Sequence, residues 1–342
     1  MHPETAHMSV GREAIGCRRI RPERRVNTLM EDARVGLLEP PRRLPPKYFY
    51  DARGSALFDR ICDTEEYYPT RTENALLARH AGEIMGHIRP RHILELGSGT
   101  SRKTRHLLRA REARECGTVY WPFDVCREVL EETGESLVEE FPWLEVNPLL
   151  GDYSAGLAHL PRPADGCLYA FLGGTLGNFE EPEALKLLSE LAFRMSPADR
   201  LLLGVDRVKP TSVLQAAYDD SQGVTAAFNR NLLHVLNREL EADFEPEAFA
   251  HRSLYNEAAA RIEMYLVAEA PQQVRVGRLE ATLRFDAGET ILTEISRKFT
   301  EASVTRLLAR AGLAIERHYA PDNQYFSLLT AVPQPDVHDP VI

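Results

Sequence analysis

Short apolar runs alternate with stretches in which apolar residues recur every three or four positions along much of the chain. His92-Ile93-Leu94-Glu95-Leu96, the segment from Thr118 to Asp124, Leu149-Leu150, the segment starting Leu168-Tyr169-Ala170-Phe171, and the segment from Arg200 to Asp206 all read as strands. Runs of this length, bounded by glycine or polar residues, suit strands covered on both faces. Helical stretches separate them: one from Thr104 through Leu107, Leu108 and Ala110, and one over 181–195. Regular alternation of strand and helix predicts an α/β protein with a parallel, doubly wound sheet. Residues 210–298 interrupt that pattern. An amphipathic helix over Val224–Leu240 carries Phe228, Leu232, Val235 and Leu236 on one side. Strand-like runs at 261–268, 279–286 and 290–299 follow and predict a separate antiparallel unit. The chain then returns with a helix over 300–311 and strands over 314–319 and 325–332, which would give the main sheet an antiparallel edge.

Polar punctuation sets the other expected boundaries. Residues 1–24 show no clear period, and the basic run that begins at Cys17 reads as a solvated, poorly ordered tail. Pro40, Pro41, Pro45 and Pro46 mark an extended connection. Thr70 and Glu73 are spaced as a capping box for a helix beginning at Asn74. His87 and His92 flank Pro90 and read as a connection into the first strand, not as a metal pair on a helix face. No metal site is expected.

The stretch around which the chain is organised is the turn after the first strand, Gly97-Ser98-Gly99-Thr100-Ser101-Arg102-Lys103. Strand, glycine turn and helix bring backbone N–H groups up to a nucleotide-like ligand. A dinucleotide site usually has a third glycine three places after the second. Arg102 stands there instead, which argues against pyrophosphate and a nicotinamide-dependent oxidoreductase. A cationic side chain suits a carboxylate such as that of S-adenosylmethionine, and Glu95-Leu96-Gly97-Ser98-Gly99-Thr100 resembles the first motif of the class I methyltransferases. Further candidates stand at later strand ends. Asp124 is placed to accept from both ribose hydroxyls, Asp152 and Tyr153 to meet an adenine edge and face, and Asn178 ends a glycine-rich loop. Tyr48, Tyr50, Phe58, Tyr67 and Tyr68 crowd one charged stretch, which reads equally as core and as the wall of a small-molecule pocket.

Composition narrows the field. The 342 residues suggest about two domains, and 44% hydrophobic with 27% charged residues is ordinary for a globular protein. A net charge of −10 argues against a nucleic-acid substrate. The five cysteines, Cys17, Cys62, Cys116, Cys126 and Cys167, include no C-x-x-C pair and read as reduced thiols. No apolar run is long enough to span a membrane, and the N-terminus has no signal-like apolar region. A cytoplasmic monomer acting on a small molecule is expected.

Several ordered stretches carry a resemblance: Lys47-Tyr48-Phe49-Tyr50-Asp51, Gly54-Ser55-Ala56-Leu57-Phe58-Asp59, Glu66-Tyr67-Tyr68-Pro69-Thr70-Arg71, residues 95–104, residues 171–179, Tyr218-Asp219-Asp220, Ile262-Glu263-Met264 and residues 293–299. Over roughly residues 40–332 the chain resembles the histidine-specific Nα-methyltransferases of ergothioneine biosynthesis, which make hercynine from histidine with three molecules of S-adenosylmethionine. The chain is expected to form a Rossmann-like methyltransferase domain from 74–207 plus 299–342 and a substrate-binding domain from 25–73 plus 208–298, with the two closing over histidine. The resemblance implies that Gly97, Lys103, Asp124, Asp152 and Tyr153 hold the cofactor. Tyr67, Asn178 and Tyr218 would hold the carboxylate and amine end of the amino acid. Tyr50, Phe58 and the backbone at Gly173 would surround the α-nitrogen, with Tyr50 and Tyr67 as the catalytic pair. Glu294 and Ser296 would bind the imidazole, with Met264 packing nearby. Glu294 and Ser296 stand two apart on an expected strand and share a face, which a strand with one wet face would also give. A methyltransferase for tryptophan or tyrosine, and a non-catalytic S-adenosylmethionine-binding protein, are the rival readings.

Overall fold

The apolar runs become the strands of one large sheet. The computed structural model describes residues 15–111 and 117–335. The described chain opens with β1 (Arg18–Arg19), α1 (Leu29–Leu37), β2 (Arg42–Arg43), α2 (Ala52–Asp63) and α3 (Tyr68–Ile88). The alternating region comprises β3 (His92–Leu96), α4 (Thr104–Ala110), β4 (Val119–Asp124), α5 (Arg127–Glu140), β5 (Glu145–Val146), β6 (Leu149–Leu150), β7 (Cys167–Phe171), α6 (Glu181–Arg194) and β8 (Arg200–Asp206). Next come α7 (Thr211–Ala217), α8 (Val224–Leu240), β9 (Phe249–Asn256), β10 (Arg261–Ala268), β11 (Gln272–Val276), β12 (Ala281–Phe285) and β13 (Thr290–Arg297). The chain closes with α9 (Glu301–Arg310), β14 (Leu313–Tyr319) and β15 (Phe326–Pro333).

The main sheet runs β1-β6-β4-β3-β7-β8-β15-β14, with β5 paired to β4. Pairing is parallel from β1 to β8, and β15 and β14 add the antiparallel edge. Every residue of β7 is buried, as a strand covered on both faces requires. One core beneath the sheet takes Leu187, Leu191, Leu307 and Leu308 from α6 and α9; the opposite one takes Leu77, Ile84, Leu107 and Leu137 from α3, α4 and α5. Strand order reverses direction at β3, between β4 and β7, and open α/β sheets bind ligands beyond the strand ends at such a point.

A third core belongs to the interrupting region. It joins Ala33, Phe49, Leu57 and Tyr67 to Phe228, Leu232, Leu236, Met264, Leu266 and Ile291. Its sheet runs β2-β13-β10-β9, and β11 and β12 form a separate hairpin. The sequence pattern missed β9, β11 and β2. β9 has intermediate positions scattered among buried ones and so lacks a clean alternation.

Three expectations are corrected. Thr70 does not cap a helix. α3 begins at Tyr68, Pro69 occupies its first turn, and Glu73 lies inside it, fully buried. Proline fixes a helical φ and lacks the N–H that a first turn leaves unpaired, so it starts the helix earlier than the polar spacing suggests. His87 is not in a connection: α3 continues to Ile88 and ends only where Arg89 turns left-handed before Pro90. Residues 15–24 do not run as a free tail. Arg18 and Arg19 pair in parallel with Leu149 and Leu150, and Ile20 is buried. The exposed edge of β6 offers unpaired backbone groups that this short strand satisfies. Residues 1–14 and Cys116 lie outside the described residues; Cys17, Cys62, Cys126 and Cys167 are free.

Candidate active site

A cavity of about 840 Å³ opens above the ends of β3, β4, β6 and β7 and reaches across to β13. At one end lies the glycine turn. Gly97 (φ +69°), Gly99 (φ +49°) and Ser101 (φ +51°) all take left-handed backbone, which curls the chain over the end of β3. The turn is tied to the end of β4 at two points: Gly97 N donates to Phe123 O at 2.8 Å, and Gly99 N donates to Asp124 Oδ2 at 2.9 Å. Beneath it Glu95 is buried and accepts from Thr104 Oγ1 at 2.6 Å and from the Tyr120 hydroxyl. Burial pushes the Glu95 carboxyl up to about 7.

Asp124 also accepts from the backbone N–H groups of Val125 and Cys126, so its carboxylate is held rigidly at the end of β4. Asp152 accepts from Ser154 N at 2.8 Å, and the Tyr153 ring packs edge-on against Phe171. Lys103 reaches the cavity but is already paired, at 2.5 Å, with Glu73. Glu73 also accepts from Gly173 N at 2.8 and 3.0 Å. One buried carboxylate thus fastens the glycine turn to the loop after β7. Glu73 was missed as a site residue because the polar spacing placed it at a helix start, in water. These residues suit an adenosyl ligand with an amino-acid tail. Gly99 lines the cavity with open space where a Cβ would stand, and acids stand at the ends of β4 and β6.

The other end is aromatic and then polar. Tyr50 meets Phe58 at 5.7 Å between ring centroids, Phe58 meets Tyr67 at 6.2 Å, and Tyr67 meets Tyr218 at 6.0 Å, all edge-on. Burial drives the hydroxyls of Tyr50 and Tyr67 well above the usual tyrosine value, so both remain protonated. Asn178 and Gly173 line the cavity beside them. Glu294 and Ser296 enter from β13, and Ile295 points away into buried surroundings. Met264 pairs across from Glu294 in the sheet but stays in the core, off the cavity wall. Burial pushes Glu294 up to about 7, with the Lys298 ammonium pulling the other way.

Behind this end lies an ionic cluster that the sequence pattern did not single out. Asp206 accepts from Lys298 at 2.9 Å, from Tyr68 at 2.7 Å and from Lys209. Lys298 also donates to Tyr218 Oη and Ser296 Oγ, both at 2.9 Å. The signal was available, since Lys298 follows Glu294 and Ser296 in the same two-residue alternation. Residues 24–27 also line the cavity; Arg24 Nε donates to Ser154 O at 2.8 Å and its guanidinium pairs with Glu190.

A glycine turn at a sheet's reversal point, acids on neighbouring strand ends and a cavity continuing into an aromatic wall fit an S-adenosylmethionine-dependent methyltransferase. Residues 29–333 match the family described as histidine-specific, SAM-dependent methyltransferases, and the chain belongs to that family. It is 46% identical over 303 residues to a histidine N-alpha-methyltransferase of Mycobacterium tuberculosis, covering 89% of this chain and 94% of that one. It is 45% identical over 304 residues to the protein of the same name from Mycolicibacterium smegmatis, with the same coverage. Ergothioneine biosynthesis protein 1 of Neurospora crassa is 30% identical over 296 residues, which are 83% of this chain and 32% of that protein.

Proposed function

We propose that the protein transfers three methyl groups from S-adenosylmethionine to the α-amino nitrogen of L-histidine, giving the betaine hercynine for ergothioneine biosynthesis. The carrying observation is that Glu294 and Ser296 line the same cavity as the glycine turn and Asp124, with the aromatic wall between them. The bound cofactor would supply an electrophilic methyl on a sulfonium. Gly97, Lys103, Asp124, Asp152 and Tyr153 are the residues that would hold it. Tyr67, Asn178 and Tyr218 would hold the carboxylate and amine, and Met264 would back Glu294 from the core. The lobe built on the third core would then be the substrate domain.

Methyl transfer by displacement asks chiefly for alignment, which a rigid site supplies in advance. The nitrogen attacks only when neutral. Tyr50 and Tyr67, kept protonated by burial, therefore orient that nitrogen and do not act as phenolate bases. The product is a quaternary ammonium, which the faces of Tyr50, Phe58 and Tyr67 favour as successive methyls replace N–H bonds. Indole offers one ring N–H and no ring acceptor, so tryptophan could accept nothing from Ser296, and sites built to hydrogen-bond a ligand reject analogues that lack the partner atom. Purified protein with S-adenosylmethionine and a panel of amino acids, read by mass spectrometry, tests this. Histidine should gain three methyl groups and tryptophan and tyrosine none; unmodified histidine would end the proposal.

A further inference from the structure

Lys298 has no part in that reading, yet it is 3% exposed and touches two of its residues. Its ammonium meets Asp206 Oδ2, Ser296 Oγ and Tyr218 Oη, each at 2.9 Å. An ammonium has three hydrogens and no lone pair, so these contacts use all three and run one way. Ser296 and Tyr218 therefore both accept from the lysine. They also bond to each other at 2.8 Å, which occupies one hydroxyl hydrogen and leaves the other for the cavity. A hydroxyl oxygen that accepts from a cation becomes a better donor and a poorer acceptor, because linked hydrogen bonds polarise one another. The titratable groups around the cluster are Glu294 on β13, Asp206 and Lys209 at the end of β8, Tyr68 on α3, Tyr218 after α7 and Tyr255 on β9. Two ammonium groups share the single Asp206 carboxylate, so these three groups together carry one positive charge, which Glu294 offsets when ionised. A ring N–H turned towards Ser296 would meet an unreceptive oxygen.

We propose that Lys298 is a positioning residue that fixes the hydrogen-bond polarity of the ring site: by holding Ser296 and Tyr218 as donors, it makes the site read the neutral imidazole. The ring N–H goes to Glu294, the bare ring nitrogen accepts from Ser296, and the Tyr218 hydrogen turns to the substrate carboxylate as the Tyr218–Ser296 bond opens. The inference rests on histidine being the amino acid bound.

Nitrogen-15 spectra of ring-labelled histidine, bound to the full-length protein with S-adenosylhomocysteine between pH 6 and 8, test it. The native protein should hold the ring with one protonated and one bare nitrogen throughout. Its histidine affinity should fall about fourfold or more from pH 8 to pH 6, the share expected from protonation of a free imidazole with a pKa near 6.5. In Lys298→Met the Ser296 oxygen is released to accept, so the ring should become doubly protonated at pH 6 and the affinity loss should shrink. A doubly protonated ring on the native protein at pH 6 overturns the proposal, and so does a Lys298→Met spectrum that matches the native one. Should that variant fail to fold, the native spectra still decide. Folded native protein that binds no histidine would instead sink the histidine reading, and this proposal with it.

Discussion

Glu294 is the residue at which burial and ligand recognition oppose each other. Its carboxyl, ordinarily at 4.5, is pushed up to about 7 by burial. A folded value above the unfolded one means that the stability it contributes is fully present below 4.5 and is lost as the pH rises through about 7. Glu294→Gln removes that penalty. The stability of the variant relative to the native protein should therefore be greater at pH 8 than at pH 5 in denaturant titrations; a pH-independent difference would contradict the assignment. Ligand binding should respond in the opposite sense. A hydrogen bond to a charged group contributes about 1.5–3 kcal/mol, so Glu294→Ala should weaken histidine roughly tenfold to a hundredfold while S-adenosylhomocysteine affinity barely moves. Calorimetric titration of both ligands would show it, and equal losses would exclude a ring-binding role. That Glu294 and Ser296 share a strand face was legible in the sequence because alternation is local; their place at the ring site came from the family resemblance. Lys298 shares their alternation, but its burial depends on Asp206, brought in from the end of β8, and no local pattern reports that pairing.

Among the elements, β8 and α3 meet where a side chain is missing. A Cβ on Gly204 would stand 1.8 Å from Glu73 Oε1, so this glycine makes room for the carboxylate that holds both Lys103 and Gly173 N. Gly204→Ala should displace Glu73 and loosen the glycine turn from the loop after β7. Overpacking of this kind typically costs about 1–3 kcal/mol, and S-adenosylhomocysteine affinity should drop about tenfold. Unchanged cofactor affinity in a folded Gly204→Ala protein would show that Glu73 does not organise that end of the cavity. Long elements with a strong period, such as β8 and α8, were readable to within a residue. The start of α3 was misplaced because two signals competed and Pro69 outweighed the Thr70–Glu73 spacing. β1, β2 and β5 have two residues each and exist because neighbouring strands pair with them, so their own residues announce little.

Across the whole molecule, the Asp206 cluster sits where the chain passes between its cores. Tyr68 opens α3, Asp206 ends β8 with Lys209 just beyond it, and Lys298 precedes the return, where Arg207 and Phe299 bridge in parallel. The cluster therefore pins both crossings at one point, and its removal should be felt by both lobes together. Asp206→Asn would leave the Lys209 and Lys298 ammonium groups buried without their carboxylate. Breaking a buried pair by removing one partner costs about 3–5 kcal/mol, and at roughly 2 °C or more per kcal/mol for a chain of this size the melting temperature should fall on the order of 10 °C. Calorimetry should also resolve two transitions for the variant against a single one expected for the native protein, because the third core would no longer be coupled to the two on either face of the main sheet. Asp165→Asn is the matched control. Its pair with Arg91, at 3.2 Å, is more than half exposed on both sides, and such pairs contribute about 0–1 kcal/mol. If Asp206→Asn melts in a single transition no lower than Asp165→Asn, the two lobes are held by their apolar contacts alone and the ionic cluster serves only the ligand site.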